Sequence, residues 1–140
     1  MLILIRGCPG SGKSTYCRNH FPQFLHLEND MFHINDKGEY VFNGRKQDQA
    51  VQWCMDMTDL ALSRGVSVVV SNTFTKRKYL NAYIRLAERY GVPYKVIRMT
   101  ADFGNVHNVP KDVLENMKRG FEDFYGEEIV NLPYDTRYQS

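Results

Sequence analysis

Hydrophobic and polar positions along this chain alternate between two periods, and the alternation predicts an α/β protein. Leu2-Ile3-Leu4-Ile5 is a short continuous apolar run of the kind that forms a strand buried on both faces. A helix is expected from residue 13 to about 21, then a short strand over Phe24–Glu28. Turn chemistry at Asp36-Lys37-Gly38 and Asn43-Gly44 marks an excursion over the surface. From Arg45 to Arg64 the residues Val51, Cys54, Met57, Leu60 and Ala61 recur at helical steps, with Trp53 partly in the same core and Gly65 as the stop. Val66 to Ser71 is a β-branched run ending on Asn72-Thr73. A second amphipathic helix over about Lys76–Tyr90 aligns Leu80, Ile84 and Ala87 before Gly91, and leads to a strand from Tyr94 to Met99. Pro110 opens a last helix whose apolar face is Val113, Leu114, Met117, Phe121 and Phe124, while the end from Ile129 has no clear period and reads as a docked tail.

Strand and helix alternate, so the sheet is expected to be mostly parallel, four- to five-stranded, with right-handed crossovers and helices on both faces. At 140 residues the chain reads as a single domain over 1–140. In such sheets the ligand crevice lies at the carboxyl ends of the strands. Those ends are Arg6-Gly7, Glu28-Asn29-Asp30, Ser71-Asn72-Thr73 and Met99-Thr100, which are expected to converge.

The first strand end decides the ligand class. Gly7-Cys8-Pro9-Gly10-Ser11-Gly12-Lys13-Ser14 is a complete G-x-x-x-x-G-K-[ST] phosphate-binding loop in its strand-then-helix setting, which specifies a three-layer P-loop NTPase fold. Gly7, Gly10 and Gly12 let the backbone curl so that its N–H groups, with those of Pro9's neighbours and Ser11, converge on an anion. Lys13 would reach the β- and γ-phosphates, Ser14 would ligate Mg²⁺, and Thr15 could bond a phosphate oxygen from its hydroxyl or N–H or simply pack within the helix. ATP and Mg²⁺ are the implied cofactors.

Composition adds exclusions. Hydrophobic residues at 43% and charged residues at 24% are ordinary for a globular protein, and no apolar stretch approaches a membrane span. The N-terminal apolar run is four residues long and reads as a core strand rather than a signal peptide, so a cytoplasmic protein with no membrane partner is expected. Cys8, Cys17 and Cys54 lack C-x-x-C spacing and read as reduced thiols. The net charge of +2 hides an asymmetry: Lys76, Arg77, Lys78, Arg85, Arg89, Lys95 and Arg98 face one acid, Glu88, within residues 76–98. Such a stretch reads either as a face for DNA or RNA or as an ordinary solvated surface. Oligomeric state is not legible.

Phosphoryl transfer needs a donor cradle, a cation, a base for the acceptor and positive charge on the migrating group. Asp30, just past the second strand, is the carboxylate best placed to act as base; its bland alternative is a helix N-cap, and Glu28 and Asp36 are weaker rivals. Many phosphate-loop ATPases carry an acid after the third strand to hold Mg²⁺, and here that place reads Ser71-Asn72, which disfavours a hydrolytic motor. Asn72 and Thr73 remain able to orient a substrate through neutral hydrogen bonds or to cap their turn. The segment from Ala101 to Pro110 is the expected lid and contains no arginine, which leaves His107, Lys111, Lys118 and Arg119 as the nearest cations.

The loop with Thr15, followed fifteen residues later by Asp30 in Glu28-Asn29-Asp30-Met31-Phe32, resembles the P-loop kinase family of phage-type 5′-polynucleotide kinases. Gly38-Glu39-Tyr40-Val41-Phe42-Asn43, Ser71-Asn72-Thr73 and His107-Asn108-Val109-Pro110 are similar to the AAA-type kinase-like domain of NEDD4-binding protein 2. The resemblance implies ATP-dependent transfer of the γ-phosphate to a hydroxyl, in its best-known members the 5′-hydroxyl of a polynucleotide, with Lys13 and Ser14 on phosphate and Mg²⁺ and Asp30 activating the acceptor. Three departures stand out: His33 where those kinases carry an arginine, no acid at Ser71 or Asn72, and Phe103-Gly104-Asn105-Val106-His107 in place of an arginine-bearing lid. A small-metabolite kinase and an ATP-binding module that docks nucleic acid or protein are the competing readings.

Overall fold

The computed structural model describes residues 1–104 and 109–131, and His107 lies outside them. Five strands, β1 (Leu2–Arg6), β2 (Leu25–Leu27), β3 (Val68–Asn72), β4 (Tyr94–Met99) and β5 (Glu128–Val130), form one sheet in the order β2-β3-β1-β4-β5. Every pairing is parallel, with Leu4 opposite Val70 on one side and Val96 on the other. Helices α1 (Lys13–His20), α2 (Gln47–Ser63), α3 (Arg77–Arg89) and α4 (Lys111–Arg119) occupy the connections.

The period-2 alternation of the strands divides the core between two layers. Leu2, Leu4, Val68, Val70 and Val96 face α2 and α3, whereas Ile3, Ile5, Val69 and Ile97 face α1 through Cys17 and Tyr16. Helices therefore cover both faces, as parallel sheets require. On α3 the expected stripe of Leu80, Ile84 and Ala87 is buried and is widened by Tyr83 and Leu86.

The stripe on α2 differs from the apolar pattern. Its buried positions are Ala50, Cys54, Thr58, Ala61 and Leu62, while Val51 and Leu60 are exposed. Small residues let the helix lie close on the sheet, and Thr58 satisfies its hydroxyl by donating to the Cys54 carbonyl at 2.8 Å.

The last helix is shorter than its apolar face suggested. It ends at Gly120, and none of its residues is fully buried. Phe121 lies instead between the guanidinium groups of Arg6 and Arg98, 4.3 and 4.7 Å from its ring centre, while Phe124 packs on the α2–α3 side of the core. The tail expected from Ile129 begins as an edge strand, β5, pairing Arg98 with Ile129. Between β2 and α2 the surface excursion is a small hairpin in which Asn35 Oδ1 accepts the N–H groups of Lys37 and Glu39 and Ile34 bridges Tyr40.

Candidate functional site

The phosphate loop is held from both sides. The Gly7 N–H donates to the Thr73 carbonyl at the end of β3, and the Phe103 N–H donates to the Gly10 carbonyl at 2.7 Å. Gly10 and Gly12 both have left-handed backbone, φ 83° and 85°, which only glycine adopts without strain. A β-carbon on Gly7 would sit 2.6 Å from Ser11 Oγ and 2.8 Å from the Met99 carbonyl oxygen, so the loop also needs glycine there for space. Thr15 is buried in α1, where its hydroxyl accepts from Arg18 at 3.1 Å.

Pro9, Gly10, Lys13 and Ser14 share one crevice with Glu28, Asn29, Asp30, Gln47, Ser71, Asn72 and Thr73. Lys13 Nζ donates to the Gly7 and Cys8 carbonyls at 2.9 and 3.1 Å. Burial lowers the pKa of its ammonium, an effect opposed chiefly by the nearby charge of Glu28. Asp30 opens the 3-10 turn at Asn29–His33, where no side chain caps the turn, and its Oδ1 accepts from the Tyr40 hydroxyl at 3.4 Å.

Glu28 is more deeply engaged than Asp30. Its Oε1 accepts from the Ser14 hydroxyl at 2.5 Å and lies 2.9 Å from His26 Nε2, which is also 2.8 Å from Ser71 Oγ. Burial alone would raise the Glu28 carboxyl, but the hydrogen bonds from His26 and Ser14 outweigh it and hold the group below its ordinary value. Asn72 pairs with Asn29, accepting its N–H at 2.8 Å and donating to its side-chain oxygen at 3.1 Å.

Several acceptor and lid candidates lie elsewhere. His33 is buried among Phe32, Tyr40 and Phe42 and does not reach the crevice; its Nε2 is 2.9 Å from Gln47 Oε1, so it supports a crevice residue from behind. Lys111 and Arg119 are exposed on α4 away from the crevice, and Arg119 bonds Asn116 one turn back. Lys118 reaches Asp102 at 3.3 Å and lines a second cleft on the other side of the loop with Cys8, Pro9 and Thr100.

The basic stretch is not one face. Arg89 pairs with Asp59 on α2, Lys95 with Glu128 on β5, Arg98 with Asp123 and Glu127, Arg77 with Glu122, and Lys76 caps the Gly120 carbonyl. Lys78 and Arg85 make no ion pair among the described residues. Of these two, Lys78 faces a groove between α2 and α3 that opens onto Asn29 and Thr73.

The sheet is parallel in the order 2-3-1-4-5 with a phosphate loop after its central strand, and the sequence of residues 2–104 matches a family described as AAA domain. The chain belongs to the AAA domain family. An uncharacterized protein of Pasteurella multocida is 30% identical over 132 residues, spanning 83% of this chain and 73% of its own length. Human NEDD4-binding protein 2 is 27% identical over 146 residues, spanning 93% of this chain but only 8% of that much longer protein. Among solved structures, a Janibacter sugar kinase superposes with a TM-score of 0.63 at 17% identity, covering 94% of this chain and 83% of that one. A chain of the Pnkp1/Rnl/Hen1 complex gives 0.63 at 18% identity, covering 96% of this chain and 46% of that one. At these identities the likeness establishes this AAA domain protein's fold, that of the P-loop kinases. The family implies nucleotide use and, as a rule, Mg²⁺. Among the described residues no helix is long and apolar enough to cross a membrane.

Proposed function

We propose that this protein is an ATP-dependent kinase that transfers the γ-phosphate to a hydroxyl, with the 5′-hydroxyl of a polynucleotide or nucleotide as acceptor. The observation that carries this reading is the single crevice in which Asp30 faces Lys13 and Ser14 across the ends of β1, β2 and β3. Gly7, Gly10, Ser11 and Gly12 curl the loop around the triphosphate, and Lys13 leaves its carbonyl partners for the β- and γ-oxygens. The acceptor hydroxyl enters along the groove between α2 and α3, where Tyr79 offers a ring and Lys78 a charge, and Asn72, Asn29 and Gln47 orient it with neutral hydrogen bonds. Asp30 takes the hydroxyl proton as its oxygen bonds to the γ-phosphorus, the bond from that phosphorus to the bridging oxygen breaks, and ADP leaves. Mg²⁺ with the nucleotide supplies charge neutralisation of the phosphates, and Ser14 is the loop residue placed to hold it. The pairing of most of the 76–98 cations with acids scattered over the surface supports a second reading, in which the acceptor is a small hydroxyl metabolite.

The test mixes protein, Mg²⁺ and γ-labelled ATP with 5′-hydroxyl DNA or RNA oligonucleotides, nucleosides, small polyols or no acceptor, beside Lys13→Ala and Asp30→Ala. Transfer to oligonucleotide or nucleoside, abolished in both variants, is the expected result. Transfer to polyols alone selects the second reading, and intact ATP binding with no transfer to any acceptor refutes both.

A further inference from the structure

Phosphate-loop NTPases commonly hold Mg²⁺ between the loop serine or threonine and an acid at the end of a neighbouring strand. In this chain the strand beside the loop is β3, and its end carries Ser71 and Asn72, neither of them acidic. Asn72 is moreover occupied on both its oxygen and its nitrogen by Asn29. The serine hydroxyl is nevertheless in contact with a carboxylate, because Glu28 reaches it at 2.5 Å from one strand further out.

That reach follows from the sheet. β2 pairs with β3 so that Leu27 lies opposite Val70, which brings the next residues, Glu28 and Ser71, side by side at the crevice. The short Ser71 side chain leaves room for the longer Glu28 to cross over it toward Ser14. His26 bonds both Ser71 and Glu28 and so fixes the carboxylate from behind, the arrangement in which a second residue orients a metal-binding one. A hydroxyl and an ionised carboxylate side by side are hard oxygen donors suited to Mg²⁺, which takes one or two protein groups and completes its shell with water and phosphate. The donor set therefore fits the cation.

We propose that Glu28 is the magnesium-binding acid of this protein, replacing from β2 the carboxylate missing from β3 at Asn72. The inference rests on the reading of the crevice as a Mg²⁺·ATP site, and it leaves Asp30 alone as the base. Glu28 and Asp30, two residues apart on one strand end, thus divide the donor and acceptor halves of the site.

Calorimetric ATP binding in Mg²⁺ and in EDTA separates this from a structural role. In the wild type, Mg²⁺ tightens ATP binding. Glu28→Gln keeps the shape and the His26 contact, and is expected to lose about 10- to 100-fold in affinity for the metal-loaded nucleotide. Its metal-free ATP affinity should hold or rise, because a negative charge beside the triphosphate is gone. Glu28→Asp should retain more metal dependence than Glu28→Gln, and Asn72→Asp added to Glu28→Gln should restore part of it by returning an acid to β3. Equal metal dependence in wild type and Glu28→Gln, or equal loss of ATP binding with and without metal in the Gln and Asp variants alike, overturns the proposal. Metal dependence unchanged in Glu28→Gln while transfer to the acceptor persists would sink this assignment and spare the kinase; a wild type that binds no ATP in either condition would sink both.

Discussion

Replacing Gly10 by alanine tests whether the segment after β4 is docked on the phosphate loop. The added methyl carbon would lie 2.0 Å from the Gly104 carbonyl oxygen and 2.9 Å from its carbon. Ordinary carbon-to-oxygen contact begins near about 3.3 Å, so the segment must lift by more than an ångström. Lifting it breaks the 2.7 Å bond from the Phe103 N–H to the Gly10 carbonyl, worth about 0.5–1.5 kcal/mol net. The left-handed backbone of Gly10 adds about 1–2 kcal/mol for any residue with a β-carbon. The total is about 1.5–3.5 kcal/mol. Gly38 supplies the control: its φ is 77° but a β-carbon there meets nothing within 4 Å, so Gly38→Ala carries the backbone cost alone. Urea unfolding of the two variants should therefore differ by about 1 kcal/mol at equal slope, and amide exchange at Phe103 should accelerate only in Gly10→Ala. Equal midpoints with Phe103 protected as in the wild type would refute the docked arrangement.

Two further outcomes follow from charges in different settings. Glu127→Gln strands the buried Arg6 guanidinium, which it meets at 2.9 Å with side-chain exposures of 0% and 6%, and should cost about 3–5 kcal/mol by urea denaturation; Glu128→Gln, which removes only the half-exposed pair with Lys95, should cost less than about 1 kcal/mol. Asp102 is held below the usual carboxylate range by the Gly104 N–H and by Lys118. A carboxyl depressed by folding contributes fully above its unfolded value of about 4 and loses that contribution as pH falls through its folded value, so protection of the Gly104 amide should decline below about pH 4. A carboxyl NMR titration that finds Asp102 at or above its ordinary value would contradict this.

The elements legible in the sequence were those whose signal is local. β1, the loop and α1 are specified by one continuous stretch, and β3 by an unbroken β-branched run. β5 escaped because Glu128-Ile129-Val130 is three residues long on an exposed edge, and what brings it to β4 is long-range: Arg6 to Glu127, Arg98 to Asp123 and Lys95 to Glu128. The α2 stripe was right at Cys54 and Ala61 and wrong at Val51 and Leu60, because close helix-to-sheet packing selects Ala50 and Thr58, which a search for large apolar residues passes over. His33, which stands where the related kinases carry an arginine, is drawn away from the acceptor by Tyr40 and Phe42 of the hairpin packing on its ring, a contact that periodicity does not carry. Glu28 had a usable signal: the lack of an acid at Ser71-Asn72 directs attention to the adjacent strand end. Convergence of Asp30 with Lys13 needed only the rule that parallel strands present their carboxyl ends to one crevice.

The distribution of cations around that crevice bears on how fast transfer can be. Arg6 is spent on the Phe74 carbonyl, to which it donates two N–H groups at 2.7 and 3.1 Å, and on Glu127. This grip holds Phe74 in a left-handed backbone, φ 46°, at the exit of β3, so its role is to shape the strand end. Arg98 is tied to Asp123 and Glu127, and Lys118 to Asp102. Among the described residues Lys13 is then the one cation that lines the crevice itself. On the proposed reading, charge developing on a migrating phosphoryl would be met by Lys13, the loop N–H groups and the Mg²⁺ proposed at Glu28; among the described residues no arginine lines the crevice to add the factor of about 10³–10⁵ in rate that one supplies in other phosphate-loop enzymes. On the same reading, the neutral Asn29, Gln47 and Asn72 that line the same crevice would supply selectivity, and turnover would be set by how well such groups, rather than added positive charge, hold the acceptor hydroxyl in line.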